Sequence, residues 1–187
     1  MSTRSKFDSK LMDLKEKLLE MESLAETAVR DSLSALINHD IEKANRVIAG
    51  DDKIDELEHL IHDRALLLIA RESPVAKDLR TLNVALKVSS EVERMADMAV
   101  NIAKATVHIG NEKHFKEILD IPKMMDQALE MVSMSIKAYV DEDVMLAQKC
   151  AEKDDEVDKM FGKLVHELIS MVPENPNATN QIIQLSF

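Results

Sequence analysis

The 187-residue sequence has one cysteine, three glycines, four prolines, one tyrosine, four phenylalanines and no tryptophan. The lone Cys150 excludes an internal disulfide and fits a reducing compartment. Sheets draw on aromatic and β-branched residues and need frequent turns. With aromatics at 3% and so little glycine and proline, the composition predicts long helices with few breaks. No run of about 18 apolar residues occurs, so no membrane-spanning helix is predicted. The first ten residues, MSTRSKFDSK, carry no apolar stretch of the kind a signal peptide needs, and the expected location is the cytoplasm. Lys and Arg number 24 against 35 Asp and Glu, a formal net charge of -11. That balance argues against nucleic-acid binding, which relies on basic side chains to neutralise phosphates. No glycine-rich phosphate loop is present either.

What the chain does contain is 45% hydrophobic and 32% charged residues, a balance that folds. The twelve methionines suit either adaptable core filling or a partner groove. From Lys6 to Asn38, Leu11, Leu14, Leu18, Met21, Ala25, Ala28, Ser32 and Ala35 recur at steps of three and four, which predicts one long helix with a single apolar stripe. Asp40 reads as the N-cap of a second helix carrying Ile41, Ala44, Val47, Ile54, Leu57, Ile61, Ala65 and Leu68. Ser73-Pro74 ends it and reads as N-cap and first residue of a third, which holds Leu79, Leu82 and Leu86 and stops at Gly110. A fourth helix opens at Asp120-Ile121-Pro122, and a fifth spans Asp143 to Val172 before Pro173 and Pro176.

A shift of 103 residues aligns the two halves. Met21 then meets Met124, Ala35 meets Ala138, Asp40 meets Asp143, Ala44 meets Ala147, and Asp51-Asp52 meets Asp154-Asp155. Ile54 meets Val157, Asp55 meets Asp158, Ile61 meets Leu164, and Ser73-Pro74 corresponds to Asn175-Pro176 after a one-residue slip. The predicted fold is all-α: two tandem three-helix, spectrin-like bundles over residues 6–110 and 115–187. The last helix, Ala178 to Phe187, is expected to be truncated and too short to stand alone. That shortfall predicts partly uncovered apolar faces on the fourth and fifth helices, closed by a homodimer or by segment exchange, or else prone to aggregation.

Three acidic pairs share a spacing of four: Asp51 with Asp55, Glu93 with Asp97, and Asp154 with Asp158. Each puts two carboxylates side by side on one helical face, where they repel unless a cation or base bridges them. On an ideal helix Glu93 and Asp97 share the sector of Leu79, Leu82 and Leu86, and Asn101 extends the row with a neutral oxygen. Folding the second and third helices about Ser73 brings Asp51 level with Met95 and Asp55 with Glu91. Four carboxylates then converge on one patch, with Glu58 or Asp52 able to join. Oxygen-rich donors of this kind suit Mg, Mn, Fe or Ca better than a structural zinc. The competing reading is a solvated acidic face balanced by cations such as Lys87 or Arg94.

Several strings here resemble the PhoU family of bacterial phosphate-uptake regulators. They are Gly50-Asp51-Asp52-Lys53-Ile54-Asp55-Glu56-Leu57-Glu58, the run from Leu68 through Ser73-Pro74 to Arg80, and Glu91-Val92-Glu93-Arg94-Met95-Ala96-Asp97 followed by Asn101-Ile102-Ala103. The resemblance implies two similar three-helix bundles, each marked by an E/D-x-x-x-D motif that binds a divalent or multinuclear metal: Fe, Mg, Mn or Zn. It places the site at Glu93, Asp97 and Asn101 with Asp51 and Asp55 opposite, and a weaker half-site at Asp154 and Asp158. It also implies orienting or partner-facing roles for Arg80 and Arg94. The activity implied is regulatory, not enzymatic: negative control of the phosphate-starvation response by contacts with the phosphate ABC transporter ATPase and a phosphate sensor histidine kinase.

Two other readings compete. One is a helical adaptor or scaffold without metal. The other is a ferritin-like di-iron enzyme, for which Glu56 to His59 supplies a single Glu-x-x-His motif where that class needs two. His59 and His62 fit exposed helical positions, although His62 shares a broad face with Asp55. Cys150 has no partner pattern for nucleophilic chemistry and reads as a packing residue.

Overall fold

The computed structural model describes residues 3–110, 120–174 and 176–186, all helix, turn or short connection with no β-strand among them. Among the described residues seven α-helices are seen: α1 (Thr3–Asn38), α2 (Ile41–Gly50), α3 (Asp52–Glu72), α4 (Lys77–Ile109), α5 (Asp120–Asp141), α6 (Val144–Ser170) and α7 (Thr179–Ser186). A 3-10 turn, Pro176–Ala178, leads into α7. The chain divides into two compact units, Met1–Val107 and His108–Phe187. The anticipated boundary near residue 115 and the turn residue Asn175 lie outside the described residues.

In the first unit α1 packs along α2 and α3. Leu14, Leu18, Met21 and Ala25 of α1 are fully buried, as are Ile61 and Ala65 of α3. Each large aliphatic side chain removed from water in this way contributes about 1.5–3 kcal/mol. Lys10 pairs with Glu72 at 3.0 Å and Arg64 with Asp13 across the same helices. Such exposed ion pairs add about 0–1 kcal/mol each, so the apolar stripe carries the packing.

On α4 the buried positions are Leu82, Ala85, Ser89, Val92, Ala96, Ala99, Ala103 and Thr106, with Val100 and Ile109 beside this row. The first eight form an alternating three-four repeat in which alanine, serine and threonine outnumber larger side chains. It corrects the anticipated stripe: Leu79 is 42% exposed and Leu86 half-buried, so the seam runs one face over. Alanine and serine fill that seam, and a count of large apolar residues alone misplaces it. Glu93 and Asp97 therefore flank the seam next to Val92 and Ala96 and do not extend it.

Two further boundaries differ. The second helix is broken: α2 ends at Gly50 and α3 begins at Asp52, although Asp51 itself has helical angles. Ser73 caps the end of α3 in the left-handed region, its N–H donating to the Ile69 carbonyl at 3.2 Å. It does not start α4. The corner continues through Val75 and Ala76, the latter also left-handed (φ 47), and Arg80 N–H then donates to Ala76.

The α1–α2 and α5–α6 corners match group for group at the 103-residue shift. His39 (φ 54) and Glu142 (φ 56) are both left-handed. Asp40 N–H donates to Ala35 at 2.9 Å, and Asp143 N–H to Ala138 at 2.9 Å. The Asp40 carboxylate accepts from Lys43 N–H at 2.8 Å and the Asp143 carboxylate from Leu146 N–H at 3.0 Å, the capping chemistry predicted for both. In the second unit α5 packs on α6, and α7 folds back onto α6. Ile182 of α7 is buried against Leu164 and Leu168, so the short last helix is held by packing. Val144, Met145, Phe161 and Ile169 of α6 remain at least half exposed.

Candidate metal centre

The seam between α3 and α4 sets the site. Ser90 Oγ of α4 donates to Glu58 Oε1 of α3 at 3.0 Å and lies 3.5 Å from His62 Nε2. Glu58 and Ser90 are equidistant along the chain from Pro74. In that register Asp55 comes level with Glu93 and Asp51 with Asp97. The pairing therefore slips two residues from the one expected about Ser73, because the corner takes in Val75 and Ala76 before α4 begins. The slip aligns the carboxylates more closely than the expected register did.

The electrostatics agree with this ladder. Burial, then the negative charges of Asp55, Asp97 and Asp52, push the Asp51 carboxyl above its ordinary range, with the Lys104 ammonium opposing. Burial, then Asp97, Asp55, Glu58 and Asp51, push Glu93 up in the same way. Both shifts come first from burial and then from neighbouring carboxylates. Asp51, Asp55, Glu58 and Glu93 are half-buried, and Asp97 and Asn101 are exposed, so the array opens to solvent.

The donor chemistry fits a hard cation. The acidic side chains that share this face offer only carboxylate oxygens, and positive charge there would offset their mutual repulsion. A structural zinc fits poorly, since the only sulfur of cysteine type belongs to Cys150 in the other unit. Among the described residues no three His, Cys, Asp or Glu side chains stand as a ready-made ligand set. Holding an ion thus requires these carboxylates to swing inward about their own side-chain bonds.

The other candidates stand apart. Asp154 and Asp158 are exposed on α6. Cys150 donates to the Met131 carbonyl at 3.2 Å, and burial followed by the charge of Asp154 pushes its thiol up, which suits packing and not nucleophilic attack. Glu56 is exposed and the His59 side chain is 82% exposed, a poor match to the buried motif of a di-iron bundle. Arg94 pairs with Glu91 at 2.7 Å on the surface, and Arg80 is exposed on the first turns of α4. Glu58, which ties the two helices together through Ser90 and meets His62 at 3.2 Å, is the residue that spacing alone underrated. Its position four before His62 on the seam side of α3 was the available signal.

Fold and site together define a class: a tandem all-helical protein with a carboxylate-lined face on a bundle surface. Comparison with known proteins sharpens it. The model of the PhoU domain matches residues 18–106 and 121–187. The phosphate-specific transport system accessory protein PhoU homolog of Clostridium acetobutylicum is 34% identical over 186 residues, covering 99% of this chain and 85% of its own. The homolog from Aquifex aeolicus is 36% identical over 182 residues, covering 97% and 82%. The crystal structure of PhoU from Pseudomonas aeruginosa superposes with a TM-score of 0.91 at 28% identity, covering 96% of this chain and 87% of that one. The phosphate transport system regulatory protein PhoU of Streptococcus pneumoniae follows with a TM-score of 0.84 at 26% identity, covering 96% and 88%. The chain belongs to the PhoU family. Among its described residues no helix is long and apolar enough to cross a membrane.

Proposed function

We propose that this chain is a metal-binding, cytoplasmic regulator of phosphate uptake that holds the phosphate-starvation response off when phosphate is plentiful. The observation that carries the reading is the family match in both halves of the chain, among relatives named as accessory or regulatory proteins of phosphate transport. Its partners in this reading are the ATPase of the phosphate ABC transporter and a phosphate sensor histidine kinase. The role is that of an adaptor, not an enzyme. Residues 6–110 and 115–187 act as two repeats of one unit.

Asp51, Asp55, Glu93 and Asp97 hold the cation, Asn101 adds a neutral oxygen, and Asp154 with Asp158 forms a weaker half-site. Mg, Mn or Fe is favoured over Zn by the all-oxygen donors. A bound cation supplies positive charge that joins α3 to α4. Glu58, fixed by Ser90, holds the register that places the four acids opposite one another. Arg80 and Arg94 are solvent-facing and suited to partner contact. The exposed Phe161 and Ile169 of α6 support a homodimer.

The test is complementation in phosphate-replete bacteria that lack their own homologue, with a starvation-responsive phosphatase reporter. Wild type should restore repression, and the tagged protein should retain both ATPase and kinase in pull-downs. A reporter that stays on, with neither partner retained, contradicts the reading.

A further inference from the structure

The carboxylate ladder occupies only half of a longer face. One turn beyond the His62–Ser90 contact, towards the Ser73–Ala76 corner, the same rows carry Leu66 on α3 and Leu86 and Leu79 on α4. Leu66 is 54% exposed, Leu79 42%, and Val75 at the corner 75%. The outward face of the α3–α4 pair thus changes character near its midpoint. From Val75 to Leu86 it carries a valine and exposed or half-buried leucines, interrupted by Asn83 between Leu79 and Leu86, and it is acidic from Glu58 to Asp51 and Asp97. At 1.5 Å per residue, α3 gives this face a length of about 30 Å.

We propose that this face is a docking groove for one amphipathic helix of a protein partner, apolar at the end near the corner and basic at the end near Asp51. Two antiparallel helices present a groove along their length, and leucines exposed in such a groove gain most by covering with another apolar helix face. Charge complementarity fixes the partner's other end. Asp51 at the start of α3, with Asp55 and Glu58 along it, stand level with Asp97, Glu93 and Ser90 on α4, and Lys or Arg side chains of a partner complement this row of carboxylates. The cations on or beside this face are Arg80 beside Leu79, Lys87 beside Leu86, His62 on Glu58, Arg94 beside Glu93 but paired with Glu91, and Lys104 beyond Asn101; at the acidic end they are fewer than the acids. An anionic membrane surface is the poorer occupant, because the chain's net charge of -11 opposes approach to it. Polarity along the groove also sets direction, since a helix laid in reverse would put lysines on leucines and leucines on carboxylates.

The inference shares carboxylates with the metal reading but does not need a metal, so its test is run in EDTA. The probe is a fluorescent synthetic helix of about 20 residues, matched to the groove length. It carries leucines on one face of its first turns and Lys or Arg on the same face of its last turns. A second peptide has the two ends exchanged. Fluorescence anisotropy should show binding of the first peptide and, for the exchanged one, affinity weaker by about tenfold or more. Leu66→Glu/Leu79→Glu and Asp55→Asn/Glu93→Gln should each weaken the first peptide by a similar factor, and only the second variant should flatten the salt dependence. If Leu66→Glu/Leu79→Glu fails to fold by circular dichroism, Leu66→Ser/Leu79→Ser takes its place. Equal binding of the two peptides, no loss in the leucine variant, or no binding at all overturns the proposal. So does sedimentation of wild type, but not of the leucine variant, with phosphatidylglycerol vesicles, which would make the face a membrane contact.

Discussion

At the scale of single residues the account rests on like charges held together. Glu93 and Asp97 sit four apart on α4, and such pairs cost a helix about 0.2–0.5 kcal/mol. Asp97→Asn removes a charge that acts on both Asp51 and Glu93. In metal-free protein it should move both carboxyls back towards their ordinary range in an NMR titration and raise stability at neutral pH by a few tenths of a kcal/mol. The sign of the pH dependence follows. Asp51 and Glu93 keep their protons to higher pH folded than unfolded, so the native state binds more protons across that window. Their contribution is fully present below the unfolded values and is lost as pH rises through the raised folded ones. A second residue-scale expectation lies in the other unit. The side-chain carbonyl Oε1 of Gln127 is buried with no hydrogen-bond partner among the described residues, whereas the repeat counterpart is Leu24. Gln127→Leu should stabilise the protein by about 1 kcal/mol in urea unfolding.

Elements carry the parts that spacing alone conveys well and the parts that it does not. The long apolar stripe of α1 and the caps Asp40 and Asp143 follow from local chemistry, as does the stop at Gly110, and each stands where the sequence indicates. Asp143→Ala should cost about 1 kcal/mol and lower the hydrogen-exchange protection of the first turn of α6. The register of α3 against α4 was not legible to the residue, because it depends on Ser73 and Ala76 both adopting left-handed angles that neither residue type favours. The break at Gly50 was equally hidden. A Cβ there would meet nothing within 4 Å and its φ is not positive, so neither space nor handedness requires glycine. Its repeat counterpart, Lys153, lies in the unbroken α6. Gly50→Ala should therefore stabilise the protein by about 1 kcal/mol and protect the amides of Asp51 to Lys53 from exchange by joining α2 to α3. Unchanged protection would place the cause of the break in the acidic residues that follow.

For the molecule as a whole, composition settled the class and the repeat settled the plan. Scarce glycine, proline and aromatics gave all-helix, and matched corners at His39 and Glu142 show the same chain path used twice. The carboxylate pairs were legible as pairs, and the hairpin brought the first two together. What sequence could not supply was the cross-link of Glu58 to Ser90, a tertiary contact with no local signature. The central claim is that the array on α3 and α4 is a cation site. It is tested most directly by elemental analysis and Mn²⁺ titration calorimetry on protein purified without chelator or affinity-tag metal, alongside Glu93→Gln/Asp97→Asn. The account predicts bound metal and a Mn²⁺-dependent rise in melting temperature for wild type, both lost in the variant while its fold persists. Equal metal content and equal thermal response in the two proteins would contradict it.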